Sequence, residues 1–358
     1  MAYINASLWN DKYFTEAQNE KRFSQLGLVD AVKASTPFVD YIPPSARAAL
    51  REYSSLRNAK IPAIKDQTIV VNTTPGFEFI PANLPESALY SFTAVDVFSG
   101  FRHYPAAYEN NVIDEKWAAN QVAKNVAYAM GSQVETLLAV ELENRKSQIL
   151  GHTAQVNQGA GTFTFNTGTD VLEVNKAAQT ETMFNNLTAL MDANELPGNY
   201  RLVTNRAGIQ AQKISALKHG SNNDENLAAL GLLDPSRVYE TGNLAAGSDV
   251  FNGWYLRDGA MGVYENFPYD FRNGTVIGGK QWSVSDGPIP FTGMKANLYV
   301  NKEATEGNSL ITSGQDSNMI MTHWEEMAVW LRFYIVYRYN SDLTTRAQDI
   351  VKVSGKTS

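Results

Sequence analysis

The stretch Trp117–Leu150, WAANQVAKNVAYAMGSQVETLLAVELENRKSQIL, governs how the rest of the chain is read. It contains no proline, cysteine or histidine, and its one glycine is Gly131. Val122, Val126, Met130, Val134, Leu138 and Leu142 recur at intervals of four, with Trp117 and Leu137 beside them, a stripe that drifts slowly around a helix. Asp114 suits the N-cap, Glu115 complements the dipole in the first turn, and Gly151 suits the stop. Such a helix is about 55 Å long at 1.5 Å per residue. Taken alone it reads as a buried or coiled-coil helix, and nothing on it is equipped for chemistry.

Working outward, residues 12–58 alternate polar helical stretches with breaks at Pro37, Pro43 and Pro44, a pattern that predicts an arm with short helices. From Ile61 to Tyr108 the texture becomes β-branched and aromatic (TIVV, FEFI, LYSFTAVDVF), predicting a long twisted β excursion that turns near Asn83–Glu86. After the long stretch come hairpin-like segments in HTAQVNQGAGTFTFNTGTDVLEV, a helix around Thr180–Ala193, a buried strand in YRLVTN and a helix in RAGIQAQKISALKHG. Strand and helix alternate there, as in an α/β lobe. Val250–Glu265 predicts two strands around the turn Arg257-Asp258-Gly259, whereas VIGGKQWSVSDGPIPFTG is too rich in Gly and Pro for a regular element. EEMAVWLRFYIVYRYN alternates strictly. Val329, Leu331, Phe333, Ile335 and Tyr337 face a core; Trp330, Arg332, Tyr334, Val336 and Arg338 form a half-polar face.

The 358 residues are 44% hydrophobic, enough for a sizeable core in two or three lobes, and the net charge of −7 gives no basic footprint for gripping nucleic acid. With no cysteine there is neither a disulfide framework nor a thiolate metal site. MAYINASLWNDKYF has no basic region followed by an apolar one, and no run reaches the length of a membrane span, so a soluble, cytoplasmically made chain is expected.

Catalytic motifs are weak throughout. Gly274–Lys280, GTVIGGK, has the spacing of a phosphate-binding loop, but Gln281 stands where Ser or Thr would hold magnesium and Gly287, Pro288 and Pro290 forbid the helix that must follow. His103, His152, His219 and His323 are dispersed, and His323-Trp324-Glu325-Glu326 reads as a solvated turn before a strand. No GxSxG elbow is present, and the sequons at Asn72, Asn186 and Asn273 have no secretory context. No catalytic residue, metal ligand or cofactor is assigned.

The order of elements resembles the major capsid protein fold of tailed bacteriophages, a fold shared with encapsulin shells. AANQVAKNVAYAMGSQVETLLAVELENRKSQIL is similar to its spine helix, and YRLVTNRAGIQAQKISALK to the axial-domain pattern of a strand leading through asparagine into a helix. VFNGWYLRDGAMGVYENF is similar to the paired strands that follow, and AVWLRFYIVYRYN to the strand returning to the peripheral sheet. The resemblance implies an α+β fold divided into an N-terminal arm (1–60), an extended E-loop (61–112), a spine helix with peripheral-domain hairpins (113–178), an axial domain (179–325), and a return strand and tail (326–358).

It further implies a non-enzymatic coat protein that assembles with itself as hexamers and pentamers into an icosahedral virion head, built in the bacterial cytoplasm. A separate scaffolding protein and a portal would be its partners, and it would enclose double-stranded DNA without sequence-specific binding or a membrane. Asn83, Pro85 and Glu86 at the excursion's turn, with Arg332 and Arg338 on the last strand, are the expected subunit-interface residues. Lys60 and Lys65 give no specific signal for intersubunit cross-links. An encapsulin-like compartment, or a soluble α/β enzyme with a dispersed site, are the alternatives.

Overall fold

The computed structural model describes residues 26–51, 58–64, 87–103, 115–151, 163–176, 178–180, 183–219, 235–244, 251–266, 276–277, 280–290, 292–308, 320–338 and 346–356. The helices are α1 (Gly27–Ser35), α2 (Pro44–Arg51), α3 (Glu115–Arg145), α4 (Met183–Ala193) and α5 (Arg206–His219). The strands begin with β1 (Asn58–Ile64), β2 (Ser87–His103), β3 (Phe163–Asn166), β4 (Val171–Val174), β5 (Tyr200–Thr204), β6 (Val238–Glu240) and β7 (Asn252–Arg257). They continue with β8 (Met261–Asn266), β9 (Val276–Ile277), β10 (Lys280–Gln281), β11 (Ser283–Pro288), β12 (Lys295–Asn308), β13 (Ile320–Tyr337) and β14 (Ile350–Gly355). Helix and strand are mixed, as expected from the sequence.

Two sheets organise the molecule. One runs β1-β2-β13-β12-β11, with β8 also on β13, and all of its pairings are antiparallel. The other runs β3-β4-β14-β7-β5-β6 and is mixed, β5 lying parallel to β6 and β14 to β4. Helix α3 packs into one core with both: Met130, Val134 and Leu138 share it with Val329, Leu331 and Phe333 of β13 and with Trp254 and Leu256 of β7. The second sheet's opposite face packs on α4 through Phe184, Leu187, Leu190 and Met191. Covered on both faces, β5 is buried along its whole length, Arg201 and Thr204 included.

The long helix is real and shorter than expected, 31 residues or about 46 Å. It ends at Arg145 rather than Gly151 because the chain beyond is taken up by the strand entering β14: Ser147 N donates to Ile350 O, and Ser147 Oγ accepts from Gln348 N. Val126, Met130, Val134, Leu138 and Leu142 are buried, but Val122 is 40% exposed. Each four-residue step overshoots a turn by about 40°, so by Val122 the stripe has swung to the far side. Ala119, Ala123 and Ala127 carry the buried face there.

Three further expectations are corrected. Strands β7 and β8 do not pair with each other; the turn between them passes the chain from one sheet to the other. That turn is held from outside, Asp258 N donating to Asn199 O and Gly259 N to Ser35 Oγ. Second, the Gly/Pro-rich stretch does form strands, with β11 at a sheet edge where Gly287 and Pro288 are tolerated. Third, His323–Glu326 is no turn but the interior of β13, because pairing with β12 extends that hairpin to Ile320. The GTVIGGK segment ends in the β9–β10 hairpin with strands following, not the helix that a phosphate loop needs.

Both short helices of the amino-terminal segment are present. Leu28, Val29, Ala31 and Val32 of α1 are fully buried on the α3 side of the first sheet. The chain then rounds the end of that sheet past Gly259 and Gly262, where a Cβ would meet Phe38 O and the Val39 side chain. It returns on the other face, where Val39, Ile42 and Leu50 pack with Tyr264, Tyr334 and Val336.

Candidate subunit interface

This wrapping leaves β2 covered in a staggered way. Its residues 87–93 pair with β1 and its residues 94–103 with β13, in one continuous strand. Over the first half, Tyr90, Phe92 and Ala94 are buried with Ile61 beneath the amino-terminal segment. Over the second half the buried residue is Val97, on the opposite face, with Val95 and Phe101 packed against the core that contains α3. Each half therefore has one bare face, and the two bare faces look in opposite directions.

On the β1–β2 ribbon the bare face carries Leu89, Ser91 and Thr93, directly across from Pro62, Lys60 and Asn58, all six exposed. Leu89 is 72% exposed. On the sheet proper the bare face is built on Phe98, 66% exposed, opposite half-buried Trp330, with Gly100 opposite Ala328. The row continues through buried Asn297, paired with Trp330, to exposed Asp286 on β11.

The Trp330 ring is fixed. Its Nε1 donates to Asp96 Oδ1 at 2.9 Å, and Arg332, 2% exposed, donates through Nε to the same oxygen at 2.6 Å and lies 4.9 Å from the ring centroid. Beside it Arg102 pairs with Glu326 at 2.6 Å. An aromatic platform whose Trp330 ring is held by a hydrogen bond and an adjacent guanidinium has less entropy to lose on docking than a free side chain.

Of the residues singled out in the sequence, Arg332 thus pairs with a neighbouring strand of its own sheet. Arg338 reaches the other sheet, donating to Asp349 Oδ2 at 3.2 Å while Arg257 holds Oδ1 at 3.2 Å. The two arginines are not brought together, since Tyr334 and Val336 between them are buried under the amino-terminal segment. Asn83, Pro85 and Glu86 lie outside the described residues. Sequence reasoning missed Phe98 and Asp96, whose only signal was the switch of apolar parity along LYSFTAVDVF, from Tyr90 and Phe92 to Val95 and Val97.

Between α3 and the second sheet lies a groove of about 420 Å³, lined by Val140, Glu143, Asn252, Trp254 and Lys352 among others. Its charges are spent internally. Lys352 pairs with Glu143 and sits 3.8 Å over the Trp254 ring, whose Nε1 donates to Glu143. Burial lowers the Lys352 pKa; it would raise that of Glu143, but the hydrogen bonds and charges of Lys352 and Lys146 together outweigh it and hold that carboxyl down. Among the described residues no group of three or more His, Asp or Glu is placed to hold a metal, and no helix is long and apolar enough to cross a membrane.

No protein-family model matches the chain, and no curated protein matches it. Among solved structures it is similar to the capsid structure of cyanophage P-SCSP1u, at 12% identity over 86% of each chain with a TM-score of 0.40. It is also similar to the mature capsid of bacteriophage PhiM1, at 11% identity over 86% of each chain with a TM-score of 0.42. A third likeness is to a structure from Mycobacterium phage Che8, at 10% identity over 89% of this chain and 90% of that one, with a TM-score of 0.44. Two of the three are phage capsids. None of these superpositions is close, and the reading of function rests on the chain's own element order and surfaces.

Proposed function

We propose that the chain is the major capsid protein of a tailed bacteriophage, a structural subunit whose copies assemble into the icosahedral shell around the genome. The observation that carries this reading is the pair of oppositely directed bare faces on β2. A head-to-tail contact between identical copies needs two different, complementary patches on one subunit, and such contacts close into rings when the rotation permits. The ribbon of one copy, presenting Leu89 and Lys60, would lie on the Phe98–Trp330 platform of the next, with Asp286 supplying the opposite charge for Lys60. In this reading residues 61–112 form the E-loop, with Asn83, Pro85 and Glu86 at its contact end. Helix α3 is the spine within 113–178, residues 1–60 supply the arm, 179–325 the axial domain and 326–358 the return strand. Arg332 serves the interface by holding Trp330, and Arg338 by tying the return strand to Asp349. Hexamers and pentamers of this chain, a separate scaffolding protein and a portal complete the assembly in the host cytoplasm, and DNA is enclosed rather than gripped.

Electron microscopy of the purified full chain tests this. Closed shells, or rings of five and six copies, are expected; a monomer or dimer at every concentration would overturn the reading in favour of an enzyme. Shells that form around a protein cargo in place of nucleic acid would favour a nanocompartment.

A further inference from the structure

The one glycine of the long helix marks a joint. A Cβ on Gly131 would come within 2.8 Å of a Leu26 methyl and 3.2 Å of the Thr292 methyl, so the missing side chain leaves room on α3 for these two. On the other side, a Cβ on Gly27 would lie 2.4 Å from Glu240 O, and Leu26 makes an isolated β-bridge with Thr241. The start of α1 and the 240–241 segment thus meet backbone to backbone, and the Leu26 side chain seats on α3 at Gly131.

One turn beyond Gly131 stands Glu135, fully buried. Its Oε1 accepts from Leu28 N at 2.7 Å and Val29 N at 3.3 Å, which are donors of the first turn of α1 that have no partner inside that helix. Its Oε2 accepts from the Thr241 hydroxyl at 2.6 Å and from Asn243 Nδ2 at 3.4 Å. One carboxyl from α3 therefore caps α1 and holds the 241–243 segment, although α1 has no side-chain cap of its own at Leu26.

The groups around it carry no compensating cation. From α1 the charged neighbour is solvent-exposed Asp30, and Lys33 is directed to Thr292 O at 2.9 Å. The 241–243 segment offers a hydroxyl and a carboxamide, with Glu240 just before it. Among the described residues no Lys, Arg or His pairs with Glu135.

We propose that Glu135 is a proton-operated clasp that fastens the amino-terminal segment to the long helix, tight when the carboxyl is protonated and loosened when it is ionised. Protonation is compatible with the closed geometry: Oε1 keeps the two N–H groups of α1, and the 2.6 Å contact reverses, Oε2 donating to Thr241 Oγ while the threonine hydroxyl hydrogen turns away. Ionisation instead leaves a negative charge buried beside Asp30 with no cation. Burial outweighs the hydrogen bonds from Thr241, Val29 and Leu28 and raises this pKa from 4.5 to about 7.

The sign follows from linkage. With the clasp open, the carboxyl is solvated and loses its proton near its ordinary value; with the clasp closed it holds the proton until about 7. Rising pH across that window therefore favours opening, and the effect levels off above it. The device is a property of the single chain and holds whether or not the chain builds a shell.

The test is amide hydrogen exchange on the full-length chain, followed over residues 26–35 and 241–244 at about pH 5 and about pH 8 and normalised to intrinsic rates. In the wild type, protection of both segments should fall by roughly tenfold or more at the higher pH. Glu135→Gln, a neutral isostere, should give equal protection at both. Unchanged wild-type protection, or the same fall in the variant, would overturn the proposal and leave Glu135 a static cap. Should Glu135→Gln fail to fold, the wild-type chain still decides through its infrared carboxyl band. A buried protonated carboxyl that titrates together with the exchange of residues 26–35 supports the clasp, and its absence overturns it.

Discussion

The two halves of β2 are one strand with one hydrogen-bonding partner continuing where the other stops, yet they live in different environments. In the half that pairs with β13, the face toward α3 is sealed and the outer face is bare; in the half that pairs with β1, the amino-terminal segment seals the outer face and the other lies open. An ordinary two-layer domain buries one face of a strand throughout. The switch teaches that the chain's own helices and amino-terminal segment seal only one face of each half, and on the proposed reading a neighbouring copy covers the other. The sealed faces should then govern stability and the bare faces association.

The largest effect is expected where the sealed half is broken from beneath. Val126, 9% exposed, packs with Val97 in the core below the first sheet. Val126→Pro removes a helical hydrogen bond and forces the ring into the preceding turn, costing about 3 kcal/mol or more. Chemical denaturation should show that loss, and no particles should form. Wild-type stability for this variant would mean that α3 is not one continuous support.

At the other extreme, Phe98→Ser and Leu89→Ser alter only bare faces. Each should shift unfolding by no more than about 0.5 kcal/mol while sedimentation shows assembly weakened or abolished. Equal impairment by the two substitutions sharpens the comparison, since they lie on opposite faces of one strand. A large loss of stability with normal assembly would break it.

Much of this architecture was legible because it is local. The spacing along Trp117–Leu150 announces α3, and the alternation of EEMAVWLRFYIVYRYN announces β13. What could not be read depends on contacts between distant segments. Strands β7 and β8 part company because Asp258 is claimed by Arg201 and Arg237 and Gly259 by Ser35, none of which its own neighbours reveal. Glu135 reads as one more solvated helix glutamate, and only Gly131 four residues earlier hints that another segment packs against that side. The candidate interface was half legible. Arg332 was visible as a charge on an aromatic strand, but its role as a brace for Trp330 needed Asp96 from a strand more than two hundred residues away.

The central claim, that the bare face of one copy's ribbon seats on the platform of the next, is open to a direct measurement because the chain contains no cysteine. Leu89→Cys and Phe98→Cys would be made in separate chains, mixed, assembled and treated with a short bis-maleimide. The two positions are about 30 Å apart along one strand and face opposite ways, so a link between them cannot form within a subunit. The account predicts a covalent dimer joining the two kinds of chain, mapped to positions 89 and 98, and none when either variant is assembled alone. Assembled particles that yield no such link would contradict it.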